Sequence, residues 1–219
     1  MRETMSNITD IRELKEKDRC HHFHPMTNPV QFAKTGSDLI DKAEGIYIYA
    51  DGGRKIIDAG SGLGNVILGY GNERLCDAAS RTMKQLSFGH TFFGRSNPWA
   101  AALSEKLALI TPDSYQHFFF ASTGSETIES SIKIALYYWH FRKQPQKRII
   151  IGRQHSYHGN TIVAASLTGM EAFRTQFGLP LSDMIHHVDS PYWYRYGHGR
   201  SKEKFGLEVA ASLERRIRN

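Results

Sequence analysis

The chain has 219 residues, of which 40% are hydrophobic and 23% charged, with three Trp, ten Tyr and twelve Phe. This composition can fill a core and argues against a disordered chain. The formal net charge is +6 and the sequence pI is near 9.3, a balance that could attract an anionic partner. The basic residues are scattered, however, so we expect no nucleic-acid partner and keep a basic phosphate- or nucleic-acid-binding protein only as a distant alternative.

The cellular compartment is inferred from signals that the sequence lacks. No apolar run approaches the roughly 20 residues that a membrane-spanning helix needs. The first twenty residues mix both charge signs and contain no apolar segment, unlike a secretory signal. Two cysteines, Cys20 and Cys76, are too few for a disulfide scaffold. We therefore predict a cytoplasmic protein with no membrane partner.

The first elements along the chain are a short helix and a hairpin. Residues 8–18 are compatible with a helix that Thr9 or Asp10 would cap. Residues 45–58 contain two apolar segments around an Asp-Gly-Gly turn, which is typical of a β-hairpin. Further along, Asn72 is placed to cap a second helix. A third helix should follow, and its start and end are marked more strongly.

Proline punctuates that third helix at both ends. Asn97-Pro98 provides a cap followed by proline at the first helical position, which proline tolerates well. Thr111-Pro112 ends the helical pattern, because proline cannot continue it. The sequence therefore predicts a helix from about residue 98 to about residue 110.

From about residue 113 the pattern changes to alternating strands and helices. Residues 117–121 and 148–152 are short apolar runs that predict buried strands, and residues 184–188 predict a weaker third strand. A strong helical pattern covers residues 124–141. Strands that alternate with helices favour an α/β fold with a parallel sheet. The sequence ends within an amphipathic helical pattern, and we expect a truncation there.

The segment that leaves the first of these strands has features of an anion site. Thr123 and Glu126 have the spacing of a capping box at the start of a helix. Gly124 and Ser125 leave the first helical amides open, and those amides with the helix dipole favour a phosphate group. Many strand-to-helix turns of this composition bind nothing, so the pattern alone leaves open whether this turn binds a phosphate or is only structural. Neither a P-loop nor a dinucleotide fingerprint is present.

Two motifs, Ser122-Thr-Gly-Ser-Glu126 and Tyr157-His-Gly159, together with six shorter ones, resemble the class III family of pyridoxal-phosphate (PLP) aminotransferases. The segment Ser122-Thr-Gly-Ser-Glu126 is similar to the family's phosphate-binding S-G-S-E, and Tyr157-His-Gly159 to its Y-H-G element. Shorter matches are His24-Pro-Met-Thr27, Asp58-Ala-Gly-Ser-Gly62, Leu68-Gly-Tyr-Gly71, Thr91-Phe-Phe-Gly94, Gly169-Met170 and Pro191-Tyr-Trp-Tyr194. The resemblance extends from about residue 20 to the end of the sequence. Each motif is weak alone, and the ordered set is specific.

The resemblance implies a fold, an activity and an assembly. The fold would be α/β, PLP-dependent transferase fold type I (aspartate aminotransferase-like), and partial. Residues 1–70 would be the N-terminal segment of the small domain with its hairpin, and residues 71–219 an incomplete PLP-binding large domain. The activity would be transfer of an amino group from an omega-amino acid or amine to pyruvate or a similar keto acid. The full-length parent would be a homodimer.

The resemblance also assigns residues to the cofactor, PLP. Gly124 and Ser125 would give backbone amides to its phosphate, and the Ser125 hydroxyl a further donor. Tyr157 would stack on the pyridine ring. The cofactor-binding residues implied are Ser122, Thr123, Gly124, Ser125, Tyr157, His158 and Gly159.

A substrate pocket is implied as well, partly across a dimer interface. Its residues would be Met26, Gly62, Leu63, Gly64, Phe92 and Phe93. Here the sequence departs from the family, because many omega-aminotransferases have a tryptophan at the position of Gly64. Loss of that ring should open the pocket, and the amine specificity is therefore left undecided.

The resemblance also implies that the catalytic residues are missing. The Schiff-base lysine, the carboxylate for the pyridine nitrogen and the arginine for the substrate carboxylate would all lie beyond the end of this sequence. Lys133 falls inside the predicted helix and should face solvent. The alternative hypothesis is therefore a non-catalytic fragment that binds PLP phosphate weakly or acts only through a partner chain.

Histidines near the N-terminus are candidate metal ligands. Cys20, His21, His22 and His24 lie close together in the sequence, within residues 19–30, which we predict to be a loop. They lack the helical spacing of two histidines or the paired cysteines that zinc sites favour. The sequence therefore predicts no metal site.

Overall fold

The structure is a computed structural model that describes residues 10–180 and 183–218. The chain divides between Ala101 and Ala102 into two compact units. The predicted assignment of residues 1–70 to a small domain and of residues 71–219 to a large domain stays a prediction.

Nine α-helices and five strands occur in the part of the chain that the structure describes. The helices are α1 Ile11–His21, α2 Pro29–Thr35, α3 Ser61–Gly64, α4 Glu73–Gln85, α5 Pro98–Ile110, α6 Gly124–Phe141, α7 Ile162–Leu167, α8 Trp193–Tyr196 and α9 Lys202–Arg218. The strands are β1 Ile40–Glu44, β2 Tyr47–Ala50, β3 Arg54–Ile57, β4 Ile150–Arg153 and β5 Ile185–Val188. Single 3₁₀ turns occur at Asp51–Gly53, Glu171–Phe173 and Thr175–Phe177.

An antiparallel sheet of three strands in the order β1-β2-β3 dominates the first unit. The predicted hairpin is confirmed: β2 pairs with β3, and Tyr47 lies opposite Ile57. Gly52 has φ +69° and Gly53 φ +76°, so the turn between β2 and β3 uses a backbone conformation that glycine adopts without strain. Strand β1 was not predicted, because its residues Ile40–Glu44 are mostly polar and exposed.

Three predicted helix caps are confirmed in the first unit. The Asp10 carboxylate accepts a hydrogen bond from the Arg12 amide at 2.8 Å, whereas Thr9 lies outside the described residues. Asn72 accepts from the Leu75 amide at 3.3 Å. Asn97 accepts from the Ala100 amide at 3.0 Å. A side-chain oxygen at each helix start satisfies an amide that the helix itself cannot.

The prediction of a loop over residues 19–30 is wrong at both ends. Helix α1 continues to His21, where the side chain lies near the negative end of the helix dipole. A guanidinium hydrogen bond from Arg19 to Glu16, 2.9 Å long, supports the same turn. Helix α2 then begins at Pro29 because Asn28 accepts hydrogen bonds from two amides of its first turn.

In the second unit, β4 and β5 form a parallel pair, as the sequence predicted. Ile150 lies opposite Ile185 and Arg153 opposite Val188. Helix α7 contacts both strands, and α9 contacts β5. The buried apolar residues of this unit are Ala164, Ala165, Leu167, Leu179, Ile185 and Phe205. The core of the second unit is therefore centred on α7 and the two strands.

The predicted strand at residues 117–121 is not formed. No described strand lies beside this segment, so its backbone has no ladder partner. Phe119 and Phe120 are exposed rather than buried. The helix that follows is confirmed at both ends, since α6 covers the predicted residues 124–141. Lys133, as expected, is exposed on it.

None of the helices in residues 10–180 and 183–218 combines the length and the apolar character that crossing a bilayer requires.

Candidate functional site

The start of α6 is organised by Thr123. Its backbone is extended, with φ −141° and ψ 159°, and its hydroxyl accepts a hydrogen bond from the Glu126 amide at 3.1 Å. Its carbonyl accepts from the Thr127 amide at 3.0 Å. The Glu126 carboxylate turns back and accepts from the Ser122 amide at 2.9 Å. The predicted capping box is therefore present, with its second bond one residue earlier than usual.

Two amides of the same turn are left open. Among the described residues, neither the Gly124 nor the Ser125 amide has a hydrogen-bond acceptor. A Cβ atom built on Gly124 would meet nothing within 4 Å, so space lies beside these donors. Two unpaired amides at the positive end of an 18-residue helix are suited to an anion, and to phosphate in particular.

Ser125 joins this turn to the loop that carries Tyr157 and His158. Its hydroxyl donates to the Asn160 side-chain oxygen at 3.2 Å and accepts from the Asn160 amide at 3.1 Å. The two residues are 35 positions apart in the sequence. In this structure the Ser125 hydroxyl hydrogen is therefore engaged within the protein, and the Ser125 amide is the donor that remains open.

Gly159 lets the loop approach the helix. Its φ is +136°, a conformation that side-chain-bearing residues rarely adopt. A Cβ atom at this position would lie 2.4 Å from the Ser125 hydroxyl oxygen and 2.9 Å from the Ser125 Cα. Backbone atoms cannot move aside as a flexible side chain can, so this close approach requires glycine.

Two further residues fix the loop, and the sequence did not reveal them. The Thr168 hydroxyl is buried, accepts from the His158 amide at 2.9 Å and donates to the Ala164 carbonyl at 3.1 Å. The Glu129 carboxylate accepts from the Thr161 hydroxyl at 2.6 Å. Glu129 lies one turn after Glu126 on the same side of α6, and this spacing is a sequence signal that Glu129 is close to the site. Thr168 has no such local signal.

Tyr157 presents most of its ring to solvent. The side chain is 56% exposed, and one edge packs against Phe173 with ring centroids 5.4 Å apart and planes at 69°. That edge-to-face contact is a favourable geometry that restrains the ring. Its predicted stacking on a cofactor stays a prediction. The His158 backbone amide donates to the Thr168 hydroxyl, and the predicted contact of His158 with the cofactor stays a prediction.

The first unit contains the predicted substrate-pocket residues on separate segments. Gly62, Leu63 and Gly64 have φ of +56°, +56° and +82°, so α3 is a strained turn rather than a regular helix. Met26 and Phe93 also have positive φ, and both are exposed. Within the described residues no hydrogen bond or ring contact joins these segments. The pocket that they would form stays a prediction.

Asp58 holds the glycine turn in shape. Its carboxylate accepts from the Gly62 amide at 2.7 Å, from the Tyr70 hydroxyl at 2.7 Å and from the Gly60 amide at 3.1 Å. The Tyr70 hydroxyl, followed by the Gly62 amide, lowers the pKa of Asp58 because both stabilise the charged carboxylate. The same carboxylate raises the pKa of Tyr70.

This network gives a pH prediction. Because the pKa of Asp58 is lowered in the folded state, its contribution to stability is present above the ordinary aspartate pKa and lost as pH falls through the lowered value. In Tyr70→Phe we expect the pKa of Asp58, measured by carboxyl-carbon NMR, to rise toward its ordinary value. Tyr49→Phe is the control, since Tyr49 makes no bond to Asp58. An Asp58 pKa that is the same in both variants would contradict the assignment.

Comparisons with known proteins agree with this geometry. The family model described as aminotransferase class-III matches residues 32–219. The family match and the solved structures that resemble this chain define a partial α/β fold of the PLP-dependent transferase fold type I. The chain belongs to the class-III aminotransferase family.

Three relatives illustrate the match. The putrescine–pyruvate aminotransferase of Pseudomonas aeruginosa is 39% identical over 214 residues, which are 97% of this chain and 47% of that protein. The omega-transaminase of Pseudomonas jessenii in complex with PMP matches with a TM-score of 0.88 at 36% identity, over 93% of this chain and 45% of that one. The chain therefore spans about half the length of these relatives.

The third relative is an engineered enzyme. It is a thermostable omega-transaminase variant in which one tryptophan is replaced by glycine, engineered for asymmetric synthesis of enantiopure bulky amines. It matches with a TM-score of 0.88 at 37% identity, over 93% of this chain and 45% of that one.

Proposed function

We propose that the protein containing this chain is a PLP-dependent transaminase that transfers an amino group from an omega-amino acid or amine to pyruvate or a similar keto acid. The observation that carries the proposal is the pair of open amides at Gly124 and Ser125, beside which the Ser125–Asn160 bonds fix the loop of Tyr157. Family membership supports the reaction class.

The residues present fit this cofactor. Gly124 and Ser125 would hold its phosphate, with unfilled space beside Gly124. Tyr157, exposed and restrained by Phe173, would orient the cofactor ring. When bound, the cofactor supplies an electron-withdrawing ring that stabilises negative charge at the substrate carbon. Thr168 and Glu129 keep the loop in place, so that the donors are positioned before binding.

The remaining assignments are part of the same proposal. The Schiff-base lysine, the carboxylate for the pyridine nitrogen and the substrate arginine would lie outside this chain, and the active protein would be a homodimer. Two exposed free thiols, Cys20 and Cys76, suit the reducing conditions of the cytoplasm. The alternative is a chain that binds PLP phosphate weakly and catalyses nothing by itself.

An amino-transfer assay separates the two possibilities. We would express both this 219-residue chain and the longest chain that its coding frame encodes, and measure alanine formed from pyruvate with putrescine and other amines. We expect transfer by a longer chain and none by the 219 residues alone. If the longer chain binds PLP no more tightly than it binds pyridoxal, which lacks the phosphate, the phosphate site at Gly124 and Ser125 is refuted.

Substrate size should depend on Gly64. A Cβ atom there would meet nothing within 4 Å, so a side chain can begin at this position without a clash. In the active protein, Gly64→Trp is expected to lower kcat/KM for bulky amines relative to small ones by at least about tenfold, the size of effect that pocket filling usually has. Gly64→Ala is the matched control, because it shares the strain at φ +82° without adding a ring. Equal ratios in the two variants would contradict the proposed pocket.

A further inference from the structure

Three side chains with metal-binding atoms converge at the end of α1. The Asp18 carboxylate lies 2.9 Å from His22 Nδ1 and 3.0 to 3.1 Å from His24 Nε2. One ligand atom from each of the three residues lies within 4.8 Å of the other two. A carboxylate oxygen and two ring nitrogens are thus gathered around one point.

The cluster is held in position by its surroundings. The side chains of Asp18 and His24 are only 14% and 24% exposed, whereas that of His22 is 62% exposed. The His24 ring packs against Phe32 with centroids 4.3 Å apart, and against the His22 ring at 4.2 Å. Two ligands are therefore restrained by packing, and the third lies at the open side, where an ion could enter.

The length of α1 brings this group together. Asp18 and His22 are four residues apart, the spacing that puts two side chains on one helix face. That relation exists only because α1 continues to His21. The loop predicted over residues 19–30 would not place Asp18 and His22 on one face. His24 is brought back to Asp18 by the chain after the helix.

We propose that Asp18, His22 and His24 form a binding site for a divalent zinc ion. Two imidazoles and one carboxylate are a ligand set that zinc accepts, with a fourth position left for water. Bonds of about 2.0 to 2.1 Å in a tetrahedron place ligand atoms about 3.3 Å apart. The separations of 2.9 to 3.1 Å between Asp18 and the two histidines need to widen by only a few tenths of an ångström, and the two ring nitrogens lie within 4.8 Å of each other.

Arg19 and Cys20, which follow Asp18 in the sequence, are engaged with Glu16. The Cys20 thiol donates to the Glu16 carboxylate at 3.1 Å, and Arg19 also bonds Glu16. The bound ion would tie the end of α1 to the segment that starts at His24. None of the three ligands is among the residues assigned to the cofactor or to the substrate pocket.

The test uses tag-free protein, expressed as the longest chain that the coding frame encodes. Zinc ions alone would be titrated by calorimetry, with Co²⁺ as a spectroscopic probe of the same ligands. We expect the wild type to bind one more equivalent of zinc than His22→Gln or Asp18→Asn. If a variant still binds that equivalent, its affinity should be at least about tenfold lower, because even the loss of a residue that only supports a ligand typically lowers metal affinity by that factor.

His21→Gln is the matched control, because it removes an adjacent histidine that lies outside the cluster. It should bind zinc as the wild type does. Zinc should also raise the thermal midpoint of the wild type and of His21→Gln but not that of His22→Gln, whose exposed side chain can be replaced without a cavity. Zinc binding that is unchanged in His22→Gln and Asp18→Asn, or absent from the wild type, would overturn the proposal.

Discussion

Gly159→Ala is expected to weaken PLP binding by at least about tenfold in the protein that contains this chain. The added Cβ would meet the Ser125 hydroxyl at 2.4 Å and the Ser125 Cα at 2.9 Å. Relief of such an overlap moves backbone and typically costs about 1 to 3 kcal/mol. The movement would separate the loop of Tyr157 from the open amides of α6, so the loss should fall on cofactor affinity.

Gly178→Ala is the control for backbone strain alone. Gly178 has φ +67°, and a Cβ there would meet nothing within 4 Å. Cofactor titration followed by fluorescence, with the helical content checked by circular dichroism, would give the affinities. Equal PLP affinity in Gly159→Ala and Gly178→Ala would show that the contact between Gly159 and Ser125 does not form the site.

For the 219-residue chain itself, PLP followed by borohydride should give no stoichiometric covalent adduct. Within the described part of the second unit, no lysine hydrogen bonds to the start of α6 or to the loop of Tyr157. Lys133 lies nine residues into α6, roughly 13 Å along the axis from Gly124. Lys147 is placed over the Trp139 ring, 3.9 Å from its centroid.

The measurement is intact-mass spectrometry after reduction. Sparse labelling spread over many lysines is expected from this chain, whereas a longer encoded chain should gain one cofactor. A single adduct near full occupancy on the 219-residue chain would contradict the assignment of the lysine to a region outside it. Peptide mapping would then identify the lysine, and its replacement by arginine would test that result.

Features set by neighbouring residues were predicted well. The bounds of α6 and the caps at Asn72 and Asn97 follow from side chains that reach only two or three residues along the chain. The open amides of Gly124 and Ser125 follow from the same local geometry. The parallel pairing of β4 and β5 was predicted because alternation of strands and helices leaves few other topologies.

Features that depend on distant partners were predicted less well. The apolar run around Phe119 predicts a strand, yet a strand forms only beside another strand. Asn160 and Thr168 act on the loop through contacts that no local pattern encodes. The cluster around Asp18 was not predicted for a different reason. Helix α1 ends three residues later than the predicted helix, which changes the side chains that share a face.

The hydrogen bonds between Ser125 and Asn160 have a consequence for the lifetime of the protein in the cell. The proposed phosphate site requires that two segments 35 residues apart be held together, so the cofactor would bind the folded second unit and not its unfolded chain. A ligand with that preference shifts the folding equilibrium by mass action, and proteases act on the unfolded fraction. If the proposed site binds PLP, a larger PLP supply would therefore slow the degradation of the protein.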